Sequence, residues 1–173
     1  LSLIQRIKRK IKRASCFYEH GLNYNSGIDA VSSECYISGY FQSYKYFGSD
    51  KDLVMDNFQF KQNPSTKTLE LINTLAGKNC VAVHVRRGDY VTNVQNLTTH
   101  GVCSIDYYQK ALTYFKNEEI DEYIFLSDDP SWVKSNLELP SNSIIVDWNI
   151  NEDSWQDMYI MTRCSHAIIA NSS

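Results

Sequence analysis

The sequence lacks the short motifs of the common nucleotide-binding and hydrolase folds. Only 7 of its 173 residues are glycine, and no stretch spells G-x-G-x-x-G, a Walker A loop or a nucleophile elbow. A standard dinucleotide-binding enzyme, a P-loop NTPase and a serine hydrolase therefore lose support. The 12 tyrosines instead indicate a packed, aromatic-rich body.

Paired cysteines, metal-ligand spacings and an excess of positive charge are lacking as well. The five cysteines are scattered without a C-x-x-C pair, and the histidines show no metal-ligand spacing with them. We expect reduced structural cysteines, and we predict neither a metal nor a cofactor. The net charge of -3 is not that of a nucleic-acid-binding chain, so no nucleic-acid partner is predicted.

No apolar run in the sequence approaches the ~20 residues of a membrane-spanning helix. The basic start also lacks the apolar core of a secretory signal, so a cytoplasmic location is predicted. Within residues 1–20, six basic residues accompany one acidic residue, and apolar residues recur at helical spacing over residues 3–13. Such a helix either lies peripherally on the inner face of a membrane or packs on the body as a solvated helix, and both interpretations stay open.

From about Ser65 onward, strands and helices are predicted to alternate, and the strands are continuous apolar runs. This combination is typical of an α/β protein whose parallel sheet is covered on both faces. Ser104 is a candidate helix cap, and Pro130 a candidate first helical residue. The predicted strands are 80–85, 122–127, 142–147 and 166–170, and the predicted helices are 68–75, 104–116, 130–137 and 154–164.

The earlier part of the chain is less regular. Residues 21–33 are rich in Gly, Asn and Ser, and predict a loop or an irregular hairpin. Asp50 and Asp52 form a D-x-D pattern, which some sugar-nucleotide enzymes use to hold a divalent metal against a pyrophosphate. Here the pattern opens a predicted helix, where acidic residues are favoured by the free N–H groups, so capping is the preferred interpretation.

The segment VAVHVRRGDYV, residues 81–91, concentrates charge at the end of a buried strand. An arginine guanidinium offers a fork of donors that matches phosphate oxygens, so we predict that Arg86 binds an anion such as pyrophosphate. The alternation of an extended strand directs His84 and Arg86 to one side and Arg87 to the other. Arg87 then either contributes to the same site or pairs with a carboxylate such as Asp89.

Three strand ends carry polar residues at the edge where α/β sheets bind ligands. They are residues 84–89, 127–129 and 171–173. Residues 87–89 also spell the Arg-Gly-Asp tripeptide of adhesion ligands, but this tripeptide abuts a buried strand rather than lying in an exposed flexible loop. An adhesion role is therefore disfavoured.

Several segments together resemble alpha-1,2-fucosyltransferases, and the bacterial members of that family look closest. They are GYFQSYKYF, HVRRGDYV, GVCSIDYYQKAL, FLSDDPSWVK and WQDMYIMTRCSHAIIANSS, which occur in the order and approximate spacing of the family. The resemblance covers nearly the whole chain after about Phe17. It implies two Rossmann-like domains of GT-B type, GDP-fucose as donor, a terminal galactose as acceptor, inversion at the fucose carbon and no required metal.

The resemblance also implies roles for individual residues. Arg86 is similar to the pyrophosphate ligand, and His84 to a residue near the ribose and base of the nucleotide. Asp157 resembles the acid that receives guanine, and residues 172–173 resemble the start of a second phosphate-binding loop. Arg86 and Asp89 are the catalytic candidates, with Asp89 as a weak candidate base. The full donor-binding set is His84, Arg86, Arg87, Asp128, Asp157, Asn171, Ser172 and Ser173.

The resemblance assigns residues 1–64 to a basic segment and an aromatic-rich connecting region, and residues 65–173 to a Rossmann-like GDP-sugar-binding domain. Because no helix follows the last predicted strand, we expect a fragment that holds mostly the donor-binding half. Three functions stay open at this point. The chain is a fucosyltransferase, another GDP-sugar transferase, or a non-catalytic nucleotide-binding or adhesion module.

Overall fold

The computed structural model describes residues 15–172, in two compact units that divide between Gln59 and Phe60. The helix predicted over residues 3–13, and the phosphate-loop residue Ser173, lie outside the described residues. Within the described part of the chain, no helix combines the length and the apolar character needed to cross a membrane.

The first unit contains two short strands that run parallel. β1 (Ser15–Tyr18) pairs with β2 (Cys35–Ser38), with Ser15 opposite Cys35. The segment between them contains a 3-10 helix, Ser26–Ala30. The hairpin alternative for this segment is therefore wrong, because a hairpin joins antiparallel strands.

Two consecutive helices follow β2 in the first unit. A 3-10 helix over Tyr44–Asp50 leads into α1, Lys51–Asn57. Asp50 occupies the position just before α1 but makes no capping hydrogen bond with its side chain, and Asp52 lies in the first turn. The D-x-D pattern thus opens a helix, as expected, although the side-chain cap itself is not formed.

The second unit alternates strands and helices. Its first and second strands have the predicted bounds, the next two are shorter, and two short helices after the Arg-Arg segment were not predicted. The strands are β3 (Cys80–Val85), β4 (Glu122–Ser127), β5 (Ser143–Val146) and β6 (His166–Ile168). The helices are α2 (Thr66–Leu75), α3 (Gly88–Thr92), α4 (Val94–His100), α5 (Ile105–Thr113), α6 (Pro130–Asn136) and α7 (Trp155–Met161).

Four helices of this unit begin at a capping side chain, and Asn93 caps α4 by accepting the N–H groups of Gln95 and Asn96. The hydroxyl of Ser65 accepts the N–H of Thr68, and the hydroxyl of Ser104 accepts the N–H of Tyr107. Asp129 caps α6, whose first residue is Pro130. Capping of this kind satisfies N–H groups that have no partner inside the helix, so it fixes where each helix starts.

The four strands form one parallel sheet in the order β5-β4-β3-β6. Tyr108 of α5 and Val133 of α6 pack on one face, and Leu71 of α2 and Ile160 of α7 pack on the other. The predicted α/β class with a parallel, doubly covered sheet is confirmed, and it is compatible with a Rossmann-like fold. Because β4 and β6 flank β3 on opposite sides, the strand order reverses beside β3, which is where such sheets bind ligands.

Candidate functional site

The register between β3 and β4 brings the first residues beyond each strand together. Val85 lies opposite Ser127, so Arg86 and Asp128 leave the sheet side by side. An Nη atom of Arg86 lies 3.0 Å from Oδ2 of Asp128. The backbone N–H of Arg87 donates to Oδ1 of the same carboxylate at 2.9 Å. Asp128 therefore uses both of its oxygens to hold the Arg-Arg segment at the edge of the sheet.

Gly88 is required by the closeness of this carboxylate. A Cβ atom at position 88 would lie 2.5 Å from Oδ2 of Asp128 and 3.1 Å from its Cγ. Since the carboxylate of Asp128 is held by an ion pair with Arg86 and by a hydrogen bond from the backbone of Arg87, moving it away would disrupt both contacts. The glycine of the R-R-G-D segment is thus explained by packing against Asp128.

Asp89 is the second carboxylate on Arg86. Its Oδ1 lies 2.6 Å from the other terminal nitrogen of Arg86, and its Oδ2 accepts the side-chain N–H of Asn96 at 3.0 Å. The alternative pairing of Arg87 with Asp89 is therefore wrong. It fails because Asp89 lies in the first turn of α3, which directs its carboxylate back toward the residue three positions earlier.

Arg87 faces away from Arg86, as the strand alternation predicts. Its guanidinium carbon lies 3.9 Å from the ring centroid of Trp132, and its Nε lies 3.6 Å from Oδ2 of Asp129. Stacking on an indole stabilises a guanidinium without a ligand, although the buried Nε of Arg87 makes no hydrogen bond. Arg87 thus braces the start of α6, and its predicted contact with the donor stays a prediction.

His84 lies half-buried on the same side as Arg86. Burial is the main cause that lowers the pKa of its imidazole, the charge of Asp128 raises it, and the charge of Arg86 lowers it. At neutral pH the ring is therefore uncharged, with hydrogen-bonding capacity on both nitrogens. This suits a contact with a ribose or a base better than a contact with phosphate.

Asp157, in the first turn of α7, is a half-buried carboxyl group. Burial raises its pKa to about 6, a hydrogen bond from Asn149 lowers it, and the charge of Asp128 raises it. The side-chain N–H of Asn149 donates to Oδ1 of Asp157 at 2.9 Å. The influence of Asp128 connects this group to the Arg86 cluster, so α7 and the loop after β4 contribute to one electrostatic neighbourhood.

A buried polar network behind Asp157 was missed from the sequence. The hydroxyl of Thr68 donates to Oδ1 of Asn149 at 3.2 Å and accepts the indole N–H of Trp148 at 3.1 Å. Thr68 and Asn149 are both buried. These bonds fix the amide of Asn149 with its N–H group toward Asp157. The sequence signal for this network is the D-W-N triplet that follows the apolar run of β5. Polar residues directly after a predicted strand had already identified the other candidate site loops.

The loop after β6 makes different contacts. Asn171 accepts the thiol of Cys103 at 3.5 Å and donates to the carbonyl of Gly101 at 3.4 Å. The hydroxyl of Tyr107 donates to the carbonyl of Ile169 at 2.6 Å. This loop is therefore tied to the connection between α4 and α5, and the phosphate-binding roles of Asn171 and Ser172 stay predictions.

The structure places six of the predicted residues either at the ends of β3 and β4 or at the start of α7. They are His84, Arg86, Arg87, Asp89, Asp128 and Asp157. Among residues 15–172, no group of three or more His, Cys, Asp or Glu side chains is arranged to hold a metal ion. What the cluster offers chemically is an arginine fork for an anion and, nearby, a carboxylate for a hydrogen-bond donor.

A family model described as "Glycosyl transferase family 11" matches residues 24–173. The chain belongs to glycosyl transferase family 11. The match includes every described residue of the cluster. Together with the curated relatives described next, it confirms the resemblance to bacterial-type alpha-1,2-fucosyltransferases.

Several curated glycosyltransferases are similar to this chain. The chain is 32% identical over 176 residues to the O-antigen biosynthesis glycosyltransferase WbnK of Escherichia coli, covering 96% of this chain and 56% of that protein. It is 36% identical over 138 residues to an alpha-1,2-colitosyltransferase of Escherichia coli, covering 78% of this chain and 47% of that protein. It is 22% identical over 142 residues to galactoside alpha-(1,2)-fucosyltransferase 1 of Leontocebus fuscicollis, covering 77% of this chain and 39% of that protein.

The chain thus spans about half the length of these two Escherichia coli relatives. No solved structure matches it. The α/β class of its second unit therefore rests on the strand order and register of this chain alone.

Proposed function

We propose that this family 11 protein transfers L-fucose from GDP-fucose to the 2-hydroxyl of a terminal galactose on a glycan, with inversion and without a metal. The observation that carries the proposal is the position of Arg86. Its guanidinium stands at the carboxyl end of β3, beside the strand-order reversal, and is oriented by Asp128. On this proposal the second unit is the donor-binding half of a GT-B enzyme.

Arg86 would act on the leaving group. As the glycosidic bond of the donor breaks, negative charge grows on the pyrophosphate of GDP, and a fixed guanidinium stabilises that charge without reorganising. A charge-assisted hydrogen bond of this kind contributes about 1.5–3 kcal/mol. Asp128 keeps the guanidinium in place, so it serves the same step indirectly.

Asp89 remains the proposed base for the acceptor hydroxyl. A base must come within hydrogen-bond reach of the proton that it removes. In the structure, both carboxylate oxygens of Asp89 are engaged, one by Arg86 and one by Asn96. Proton abstraction by Asp89 would therefore require that Arg86 first transfers to another anion.

Asp157 would read the base of the nucleotide. Guanine presents adjacent N–H donors on its Watson–Crick edge, and an ionised carboxylate can accept both. With a pKa of about 6, Asp157 is mostly ionised at neutral pH. Its carboxylate is held by Asn149 and lies at the same sheet edge as the uncharged ring of His84, which supports a nucleoside site there.

A second candidate is the transfer of colitose in place of fucose. The alpha-1,2-colitosyltransferase relative favours it, because its identity to this chain is 36%. Both candidates use the same arrangement of Arg86 and Asp157, since they differ in the sugar and not in the nucleotide contacts proposed here. Donor preference therefore has to be measured directly.

The test is a transfer assay with the protein as the cell makes it. GDP-fucose is offered with a galactose-terminated oligosaccharide, and the product is analysed by NMR for linkage and anomeric configuration. The matched control is the same acceptor with a 2-deoxy galactose, which should not react. Transfer to a different hydroxyl, retention at the fucose carbon, or activity lost in EDTA and restored by Mn²⁺ would each contradict the proposal.

Contact of residues 3–13 with the inner face of a membrane also remains a proposal. Six basic residues lie within the first 20 positions, and basic residues near anionic lipid contribute about 1 kcal/mol each. Sedimentation with anionic vesicles tests it, and equal binding to neutral vesicles would count against it.

A further inference from the structure

We propose that Asp89 is an internal counter-ion that a phosphate group must displace from Arg86, whereas Asp128 is a positioning residue that holds Arg86 throughout. The inference rests on the proposed function only in taking a nucleoside diphosphate as the ligand. It assigns opposite effects on ligand binding to two carboxylates that contact the same guanidinium.

Asp128 has the properties of a fixed support. Its side chain is 25% exposed, one of its oxygens forms an ion pair with Arg86, and the other accepts the backbone N–H of Arg87. It also lies against Gly88, closely enough that a Cβ there would be 2.5 Å from its Oδ2. Because it leaves β4 in register with β3, its position is set by the sheet itself.

Asp89 has the properties of an exchangeable partner. Its side chain is 50% exposed, and it contacts the terminal nitrogen of Arg86 that Asp128 does not contact. Its second oxygen accepts from Asn96 at 3.0 Å. When Asp89 leaves Arg86, its carboxylate keeps the hydrogen bond from Asn96 on α4, so the released group still has a partner.

The local charge makes displacement necessary. Two arginines at this edge face three carboxylates, which belong to Asp89, Asp128 and Asp129. A diphosphate adds at least two more negative charges next to them. Like charges a few ångströms apart repel, so tight binding requires that one carboxylate gives up its arginine. The more exposed of the two on Arg86 is Asp89.

The size of the effect follows from the exposure of the pair. An exposed ion pair contributes about 0.2–1 kcal/mol, which corresponds to a change in affinity of up to about fivefold. Removing Asp89 as a competitor should therefore raise the affinity for the anion by about two- to fivefold. Removing Asp128 should lower it, because Arg86 loses its orientation.

The test compares Asp89→Asn with Asp128→Asn by calorimetric titration of GDP and of inorganic pyrophosphate, using the full chain as the cell makes it. Each change removes one negative charge and keeps the shape of the side chain, so any general electrostatic effect is similar in both. Arg86 and the backbone N–H of Arg87 contact different oxygens of Asp128, and the amide of the Asp128→Asn variant keeps only one oxygen, so one of the two contacts should be lost. We expect affinity to rise about two- to fivefold in the first variant and to fall about tenfold in the second.

Glu122→Gln is the matched control. It removes one charge from the same strand β4, where Glu122 pairs with Lys78 at the opposite end. Six residues of strand separate it from position 128 by about 20 Å, which is beyond the screening length in physiological salt. The affinity of the Glu122→Gln variant for GDP and pyrophosphate should equal that of the wild type.

The outcomes separate the inference from the proposed function. Equal increases in both carboxylate variants would mean general electrostatics and overturn it, as would a decrease in Asp89→Asn or no binding of either anion by any variant. If Asp128→Asn does not fold, the comparison of Asp89→Asn with Glu122→Gln decides, because only the former should bind more tightly. Opposite effects of the two variants on anion binding, together with no fucosyl transfer by the wild type, would sustain this inference and reject the proposed function.

Discussion

Replacing Asp157 by Asn should make the second unit more stable at high pH and leave its stability unchanged at low pH. Burial raises the pKa of this carboxyl from 3.8 to about 6 in the folded chain. A pKa difference of one between the folded and unfolded chain corresponds to about 1.4 kcal/mol. Ionisation of Asp157 therefore lowers the free energy of unfolding by roughly 3 kcal/mol. Asparagine keeps an oxygen that can accept from Asn149, but it carries no charge to desolvate.

The pH window follows from the sign of the shift. Since the folded pKa lies above the unfolded one, the folded state binds the proton more tightly, and stability falls as pH rises. The cost of Asp157 is absent below about pH 4, grows between pH 4 and 6, and is complete above that. Asp157→Asn should therefore match the wild type near pH 4 and exceed it by about 2–3 kcal/mol at pH 8.

Urea unfolding followed by tryptophan fluorescence measures this difference. The three tryptophans, Trp132, Trp148 and Trp155, all belong to the second unit, so their signal reports on that unit. Asp106→Asn is the control, because Asp106 forms an exposed pair with Lys110, and such pairs contribute little. A stability difference between Asp157→Asn and the wild type that stays constant from pH 4 to 8 would refute the reasoning.

Three further predictions concern the same edge of the sheet. Arg86→Lys should lower the affinity for GDP, measured by calorimetry, about tenfold, because lysine keeps the charge but lacks the forked donors of a guanidinium. Unchanged affinity in a folded variant would reject Arg86 as the pyrophosphate ligand. Gly88→Ala should weaken GDP binding and cost about 1–3 kcal/mol in urea unfolding, since its Cβ would meet Asp128 at 2.5 Å; wild-type stability would contradict this. Thr68→Val should cost about 1–3 kcal/mol by leaving the partly buried N–H of Trp148 without its acceptor, and a change below about 0.5 kcal/mol would disprove that role.

The elements of the second unit could be predicted because their signals are local. The strand over Cys80–Val85 is a continuous apolar run, and Ser104 and Pro130 mark helix starts by chemistry that acts within three residues. Parallel strands end at a common edge, so the loops after β3 and β4 could be expected to share a site. The charged residues in those loops were identified for the same reason.

The pairing of those charged residues could not be predicted, because it depends on register and on short helices. Arg86 meets Asp128 only because Val85 lies opposite Ser127, and the sequence does not state that alignment. Asp89 meets Arg86 rather than Arg87 because α3 begins at Gly88. That helix is too short to leave a periodic pattern in the sequence. The contact between Asn149 and Asp157 across the end of β5 leaves no pattern in the sequence either.

The uneven charge at this edge is itself an argument for a ligand with two kinds of group. A purely structural cluster would pair each carboxylate with a cation and leave no group with a costly ionisation. Here Asp157 is half-buried, is ionised at neutral pH against the cost of burial, and feels the additional negative charge of Asp128. Groups of this kind persist where a partner compensates them. N–H donors at Asp157 together with a phosphate at Arg86 would satisfy both ends of the cluster, and a guanosine diphosphate carries both on one molecule.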